Sequence, residues 1–388
     1  MSEIVIGVDA SRNRSGGARE HLIGILENLD PAAQGIAQVH VWSYQALLAV
    51  LPNYPWLIKH AVPALENGLI SQLWWQAFNL SSELKKYGCH ILFTSDASSL
   101  CRFSPSVVLS QDLLSYEPGV MSSFAWGRAR IRLLAIRYLQ NAAFRRASGV
   151  IFLTQYAANL IQSICGPLRN IQVIPHGVNP RFFENSQAIT TDKTVFSTGT
   201  KSDPIRCLYI SNAALYKYQW VVIEAIGLLR QKGIAIELDL VGGGSGPAHN
   251  KIKAQITATD PQGQFVRQHP FVPHAALLDH LSSADIFIFA SGCEAFGITL
   301  LEAMAKGLPI ASSNRSSIPE TLQDGGLYFD PENPLEIANA VEKLIFDPAL
   351  RDGLGPRARQ LATQYSWERC SRETWGFIVD TYKQIAEQ

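Results

Sequence analysis

Short apolar runs alternate with longer stretches of helical periodicity along most of this chain. Residues 4–9 form an apolar run that reads as a buried first strand, and a polar, glycine-bearing loop, 11–17, follows it. Within 18–29 the apolar residues Leu22, Ile25, Leu26 and Leu29 recur at three- and four-residue spacing, which predicts a helix with one buried face. The runs 39–42, 90–94, 107–110, 149–153 and 171–174 predict further strands. Pro175-His176-Gly177-Val178-Asn179-Pro180 then breaks the pattern, and 184–204, rich in Ser, Thr, Asp and Lys with little periodicity, reads as a linker. A second alternation follows: strand 207–210, helix 219–231, strand 236–241 ending in Gly242-Gly243-Gly244, strand 286–290, helix 296–306 and strand 309–312.

Strands alternating with helices imply parallel sheets covered on both faces. Two such halves predict an α/β chain of two Rossmann-like domains, 1–183 and 205–366, whose parallel sheets face each other across a ligand-binding cleft. Composition excludes several classes. With 388 residues the chain is long enough for two domains, and 47% apolar with 17% charged residues is a globular balance rather than a disordered or fibrous one. A formal net charge of zero gives no overall pull toward nucleic acid, so no nucleic-acid partner is expected. Cys89, Cys101, Cys165, Cys207, Cys293 and Cys370 show no metal-like spacing and are expected to be buried thiols in a reducing compartment. No basic leader precedes the first strand and no apolar run of about 18 residues occurs. A cytoplasmic chain is expected, at most peripheral at the inner membrane face.

The chemistry concentrates in Glu294-Ala-Phe-Gly-Ile-Thr-Leu-Leu-Glu302. A helix starting near Phe296, after strand 286–290, presents unpaired backbone N–H groups and the positive end of its dipole, a favourable place for phosphate. Glu294 stands just before that start, and Glu302 lies eight residues on, roughly 12 Å along a helix. Carboxylates accept paired hydrogen bonds from vicinal hydroxyls, so both ends of an extended ligand could be sugars. Two glutamates at this spacing also arise by chance. Lys217, in the loop after strand 207–210, could neutralise a diphosphate leaving group; the alternative is a solvated loop lysine. Ser15-Gly16-Gly17 permits close backbone approach to a phosphate or sugar, but an ordinary turn would look the same. It is not the full glycine fingerprint of a nicotinamide-binding oxidoreductase.

Taken in order, these pieces resemble the family 4 glycosyltransferases of the GT-B fold. The likeness runs through Gly16-Gly17-Ala18-Arg19, Ile174-Pro175-His176-Gly177-Val178, Tyr216-Lys217, the Glu294–Glu302 segment, Gly307-Leu308-Pro309, Pro319-Glu320 and Tyr328-Phe329-Asp330-Pro331. It implies a retaining, metal-independent enzyme with no cofactor, which moves a hexose from a nucleoside-diphosphate sugar to a glycan or lipid-linked acceptor. By position, Glu294 contacts donor-sugar hydroxyls and Lys217 stabilises the diphosphate. Backbone groups of Phe296, Gly297 and Ile298, with Thr299, hold sugar and phosphate. Glu302 binds the ribose, Gly16 and Gly17 approach the phosphate, and the base lies near Phe271 and Val272. The resemblance also implies that a C-terminal helix, about 367–388, returns to the first domain. A looser likeness of Leu215-Tyr216-Lys217-Tyr218-Gln219-Trp220 to mannosyltransferases makes GDP-mannose the first donor to consider, with UDP-sugars next.

Two positions depart from the family. Ser211 stands where many members carry an arginine, and Gln111-Asp112, on the acceptor side, replaces a His-Asp pair. Gln111 can hydrogen-bond but cannot act as a base. A front-face mechanism, in which the leaving phosphate takes the acceptor proton, tolerates that change. The departures also admit a second reading, a catalytically weak GT-B protein that binds sugar nucleotide or glycan as an assembly partner. Finally, 127–147 carries Arg128, Arg130, Arg132, Arg137, Arg145 and Arg146 with no acidic residue, interleaved with Ile131, Leu134, Ala135, Tyr138 and Leu139. It resembles a basic amphipathic helix that touches anionic lipid; the alternative is a helix with one core face and one solvated arginine face.

Overall fold

The computed structural model describes residues 3–14, 16–123, 127–184, 199–200 and 202–387. Ser15 and most of the 184–204 linker therefore lie outside the described residues. The chain divides into two compact units, Met1–Gly177 with Tyr365–Gln388, and Val178–Gln364.

In the first unit the strands β1 (Ile4–Asp9), β2 (Ile36–Ser43), β3 (Leu57–Ala61), β4 (Ile91–Thr94), β5 (Ser106–Ser110), β6 (Gly149–Phe152) and β7 (Ile171–Val173) form one parallel sheet in the order β3-β2-β1-β4-β5-β6-β7. In the second, β8 (Ile205–Ile210), β9 (Ile236–Val241), β10 (Val266–His269), β11 (Ile286–Phe289), β12 (Ile310–Ser313) and β13 (Leu327–Phe329) are ordered β10-β9-β8-β11-β12-β13, also parallel. Both orders reverse direction beside the unit's first strand. That switch point opens a crevice at the carboxyl ends of the strands, where ligands of such sheets bind. The central strands are mostly buried, and one of them, Ile286–Phe289, is the apolar run IFIF with every position buried. The three strands absent from the sequence reading, β3, β10 and β13, are all edge strands. They mix in Lys59, His60, Arg267, Gln268 and Tyr328, so no apolar run marks them.

Two helices differ from their predicted bounds. The helix expected at 18–29 spans Gly16–Glu27 and is followed by Asn28, whose side chain donates to Gly24 O at 2.9 Å. The one expected at 296–306 spans Ile298–Lys306, because Gly297, at φ 89°, holds a left-handed conformation that starts the helix two residues later. The second unit also takes in 178–183, which the sequence reading assigned to the first. Phe182 packs against His274 at 5.6 Å between centroids, and Arg359 donates to the Phe183 carbonyl.

The helix Trp367–Ala386, capped by Ser366, belongs to the first unit and buries Trp367, Trp375, Phe377, Ile378 and Val379. Trp375 Nε1 and Ser371 Oγ both donate to Ile25 O, at 2.8 and 2.7 Å, so the helix is fastened to Gly16–Glu27 by polar as well as apolar contacts. Trp367 lies over Gly24, where an added Cβ would stand 2.4 Å from the indole.

Beneath Trp367, His21 and His176 share a hydrogen bond between their Nδ1 atoms at 2.9 Å, both rings buried. One neutral imidazole donates and the other accepts; two imidazolium rings would present donor to donor. Burial lowers the His21 pKa from 6.5 to about 3, and burial together with His21 pushes His176 well below its ordinary value. The unfolded chain therefore takes up protons below pH 6.5 that the folded chain refuses, and stability present above that pH is lost as it falls toward 3. We expect His21 alone to remove about 2 kcal/mol between pH 7 and pH 5. Denaturant unfolding followed by tryptophan fluorescence should show this loss, and His21→Leu should reduce it. An unchanged pH dependence in that variant would refute the assignment.

Candidate active site

The loops that follow β8 and β11 lie side by side because those strands are neighbours in the second sheet. Gly292 N donates to Tyr216 O at 2.7 Å and ties the two loops together. Behind them, Tyr209 donates its hydroxyl to Lys217 O at 2.7 Å. The lysine follows a short turn, Leu215–Lys217, and Tyr218, left-handed at φ 46°, then opens the helix Gln219–Gln231.

Lys217 is only 8% exposed, and its ammonium pairs directly with the Glu294 carboxylate. Burial alone would lower the lysine pKa; Glu294, with Tyr216 and Tyr209, outweighs that and raises it, so Lys217 is charged throughout the physiological range. The Glu294 backbone is fixed as well. Its N–H donates to Ser316 Oγ at 3.0 Å, and its carbonyl accepts from Ser317 Oγ at 2.8 Å. Thr321 Oγ1 donates to Phe296 O at 3.2 Å. Gly297 then turns the chain into Ile298–Lys306; Leu300 N and Leu301 N donate to Gly297 O at 3.0 and 3.2 Å, which leaves the Ile298 and Thr299 N–H groups without a partner in the helix. Ile298 and Thr299 at that start are half-buried, whereas Phe296 and Gly297 are buried.

Glu302, 1% exposed, receives His274 Nε2 at 2.5 Å on Oε1. The sequence reading missed His274, which comes from a turn, His274–Ala276, in the loop beyond β10. No spacing rule links it to Glu302. Ser316 and Ser317 were missed for the same reason. Ser211 has its hydroxyl 3.0 Å from the Gln219 amide, which donates to it and to Ser211 O. Phe271 is 71% exposed and Val272 half-buried, with no polar contact to the Lys217–Glu294 pair.

The remaining candidates lie in the first unit. Gly16, at φ 61°, and Gly17 open the helix Gly16–Glu27 after β1. Gln111 Nε2 donates to Ser95 O at 2.8 Å, and Asp112 Oδ1 accepts from Leu114 N at 2.8 Å. Burial raises the Asp112 pKa. Behind this edge Asp9, which no motif pointed to, accepts from Ser11, Gln76 and Ser99 at 2.7 to 2.9 Å through side chains. All six cysteines are buried thiols outside any disulfide. Among the described residues no cluster of three His, Cys, Asp or Glu side chains could hold a metal ion, and no helix is long and apolar enough to cross a membrane.

The sequence profile of the family described as "Glycosyl transferases group 1" matches residues 190–361, almost the extent of the second unit. Residues 190–361 belong to this family. The chain resembles other glycosyltransferases outside that segment too. It is 28% identical over 238 residues to the D-inositol 3-phosphate glycosyltransferase of Arthrobacter sp. strain FB24, covering 58% of this chain and 54% of that protein. It is 33% identical over 131 residues to the O-antigen chain mannosyltransferase B of Escherichia coli, covering 34% of this chain and 33% of the other. The chain spans about half the length of the first of these curated relatives. Among solved structures it is similar to sucrose-phosphate synthase from Thermosynechococcus elongatus, with a TM-score of 0.79, 18% identity and 99% coverage of both chains. That likeness shows the fold, which is GT-B, with a parallel Rossmann-like sheet in each unit.

The loop after β8 is held against the end of β9 at a glycine. Gly242 has φ 135°, and a Cβ there would stand 2.4 Å from Ser211 O. Gly246, at φ 85°, would meet nothing within 4 Å. Gly242→Ala should cost about 2–4 kcal/mol, more than Gly246→Ala, which carries backbone strain of about 1–2 kcal/mol. Thermal unfolding of the two variants compares them directly, and equal losses would rule out the steric account.

Proposed function

We propose that this chain is a retaining glycosyltransferase that moves a hexose, with mannose the first choice, from a nucleoside-diphosphate sugar to a glycan or lipid-linked acceptor in polysaccharide or glycoconjugate synthesis. The observation that carries the reading is the Lys217–Glu294 ion pair at the carboxyl ends of two neighbouring strands, just ahead of the helix start at Ile298. A cation and unpaired backbone donors converge there, and charge that develops on a departing diphosphate would be stabilised by both. The donor's charge is met by these groups, and neither a metal nor a cofactor enters the reading.

In this reading Glu294 accepts hydrogen bonds from hydroxyls of the transferred sugar. Phe296, Gly297, Ile298 and Thr299 hold sugar and phosphate, Gly16 and Gly17 approach the phosphate, and Phe271 and Val272 border the base. Glu302 accepts from the ribose, with His274 fixing its carboxylate. Gln111 and Asp112 serve the acceptor. The Gln111 amide cannot take a proton, so the acceptor hydroxyl passes its proton to the leaving phosphate oxygen on the same face of the sugar. Ser211 brings no cation, and the diphosphate then depends on Lys217 more than in a relative with two. The mannose assignment draws on the segment Leu215–Trp220 and on the likeness to the O-antigen mannosyltransferase.

A screen of GDP-, UDP- and ADP-sugars by thermal shift tests the donor. One class should raise Tm, GDP-mannose first. Lys217→Ala and Glu302→Ala should each weaken that binding tenfold or more, the loss of a charge-assisted contact of about 1.5–3 kcal/mol. Slow donor hydrolysis abolished by Glu294→Ala would mark an enzyme. Donor binding without turnover on any acceptor would instead favour the assembly-partner reading that Ser211 and Gln111 motivate. No shift with any nucleotide sugar would sink the transferase reading and leave the second only its glycan-binding form.

The helix Arg128–Arg146 bears on the acceptor's setting. It buries Leu133, Ala143 and Phe144, while Ile131 and Tyr138 are 62% and 75% exposed beside the exposed Arg128 and Arg132. Apolar side chains and arginines thus share one outward face, as a peripheral contact with the inner leaflet requires. Full-length protein should co-sediment with vesicles containing anionic lipid, and Arg128→Glu with Arg132→Glu should abolish this while leaving donor binding intact. Equal sedimentation of variant and parent would return the helix to a solvated surface.

A further inference from the structure

The connection from β4 to β5, residues 95–105, contains no helix. The sheet beneath it is therefore not covered as it is elsewhere. Strand alternation places Leu92 and Thr94 of β4 on one face, paired in register with Ser106 and Val108 of β5. Three of these four side chains are small. A cavity of about 270 Å³ remains over them, bordered by Ser99, Cys101, Phe103 and Ser104 on one side and by Ala143 on the other, and open to solvent beside the exposed Arg102 and Arg146.

Its lining is unusual in two respects. Arg102 and Arg146 both border it, with no carboxylate in the lining and no ion pair to either among the described residues. Asp9, the acid whose charge reaches Cys101 nearby, is already covered by Ser11, Gln76 and Ser99. The hydroxyl of Thr94, a residue only 4% exposed on the cavity wall, has no hydrogen-bond partner. A buried hydroxyl left unpaired costs about 1–3 kcal/mol.

We infer that this cavity is a binding site for a small phosphate monoester, made from none of the residues assigned to the nucleotide sugar. Two unpaired guanidinium groups match the charge of about −1.5 to −2 on such an ester better than that of a single carboxylate, and their forked donors suit its oxygens. The volume admits a ligand on the order of ten non-hydrogen atoms, and Leu92, Phe103 and Val108 give its carbon skeleton an apolar wall. β4 continues from Thr94 into Ser95, whose carbonyl holds the Gln111 amide, so occupancy touches the strand that positions the proposed acceptor side.

Isothermal titration of the full chain with glycerol 3-phosphate, without donor or acceptor, tests the site independently of glycosyl transfer. Saturable binding at one site is expected. Arg102→Ala and Arg146→Ala should each weaken it roughly tenfold, Thr94→Val should weaken it less, and neutral glycerol should not bind. Circular dichroism of Arg102→Ala, a change in an exposed loop, guards against misfolding. No saturation up to about 10 mM would overturn the inference, as would binding indifferent to both arginine changes. Inorganic phosphate binding as tightly as the ester would overturn the ester assignment. Displacement by a nucleotide sugar would overturn the separateness of the site.

Discussion

A lysine removed from water stays charged only where another charge replaces the lost hydration, and Glu294 does this for Lys217. The pair is a poor way to stabilise a fold, because desolvating two ions costs about as much as their attraction returns. Its surroundings are arranged to hold it regardless. The Tyr209 hydroxyl fixes the lysine carbonyl, Gly292 joins the two loops, and Ser316 and Ser317 fix the glutamate backbone. Removing either partner would leave the other buried and uncompensated. An arrangement that costs stability yet is braced at every backbone position suits a site where a third charged group, the diphosphate of the proposed donor, would enter and share the cation.

The rest of the second unit follows from bringing those loops together. β8 and β11 must be neighbours, which the order β10-β9-β8-β11-β12-β13 achieves at its switch point. Gly242 must lack a side chain so that the end of β9 can lie against Ser211. Gly297 must turn left-handed so that the helix begins at Ile298, beyond Glu294 and not through it. The first unit repeats the strand order, and its corresponding loops carry Gly16 and Gln111. There the polar core is neutral donors around one carboxylate, Asp9, rather than an ion pair.

How far the sequence could be read depended on whether a feature is local. Buried central strands such as Ile286–Phe289 and the helix Gln219–Gln231 declare themselves through an uninterrupted apolar run or a 3.6-residue period. The edge strands Leu57–Ala61 and Val266–His269 do not, since one side faces water and tolerates Lys59 or Gln268. The same distinction holds in the site. Glu294, Lys217 and Glu302 sit in motifs whose order along the chain is informative. His274 meets Glu302 across 28 residues, and Asp9 meets Gln76 and Ser99 across 67 and 90, which no window on the sequence brings together.

Ser211 and Gln111 sharpen what the chemistry requires. At the first, a hydroxyl engaged by Gln219 stands where the family resemblance expects a second cation. At the second, an amide donating to Ser95 O stands where it expects a histidine. Neither residue can take up a proton or bring a positive charge, so in the proposed reaction both changes would move the electrostatic demand in one direction, onto Lys217 and the helix start at Ile298. A front-face transfer asks for little else. In the proposed transfer the leaving phosphate would be its own base, and the protein's part would be to keep a charged lysine, the free N–H groups of the helix start and a hydroxyl-binding carboxylate fixed before the donor arrives. The buried ion pair is that preorganisation in the form a ligand-free chain can hold.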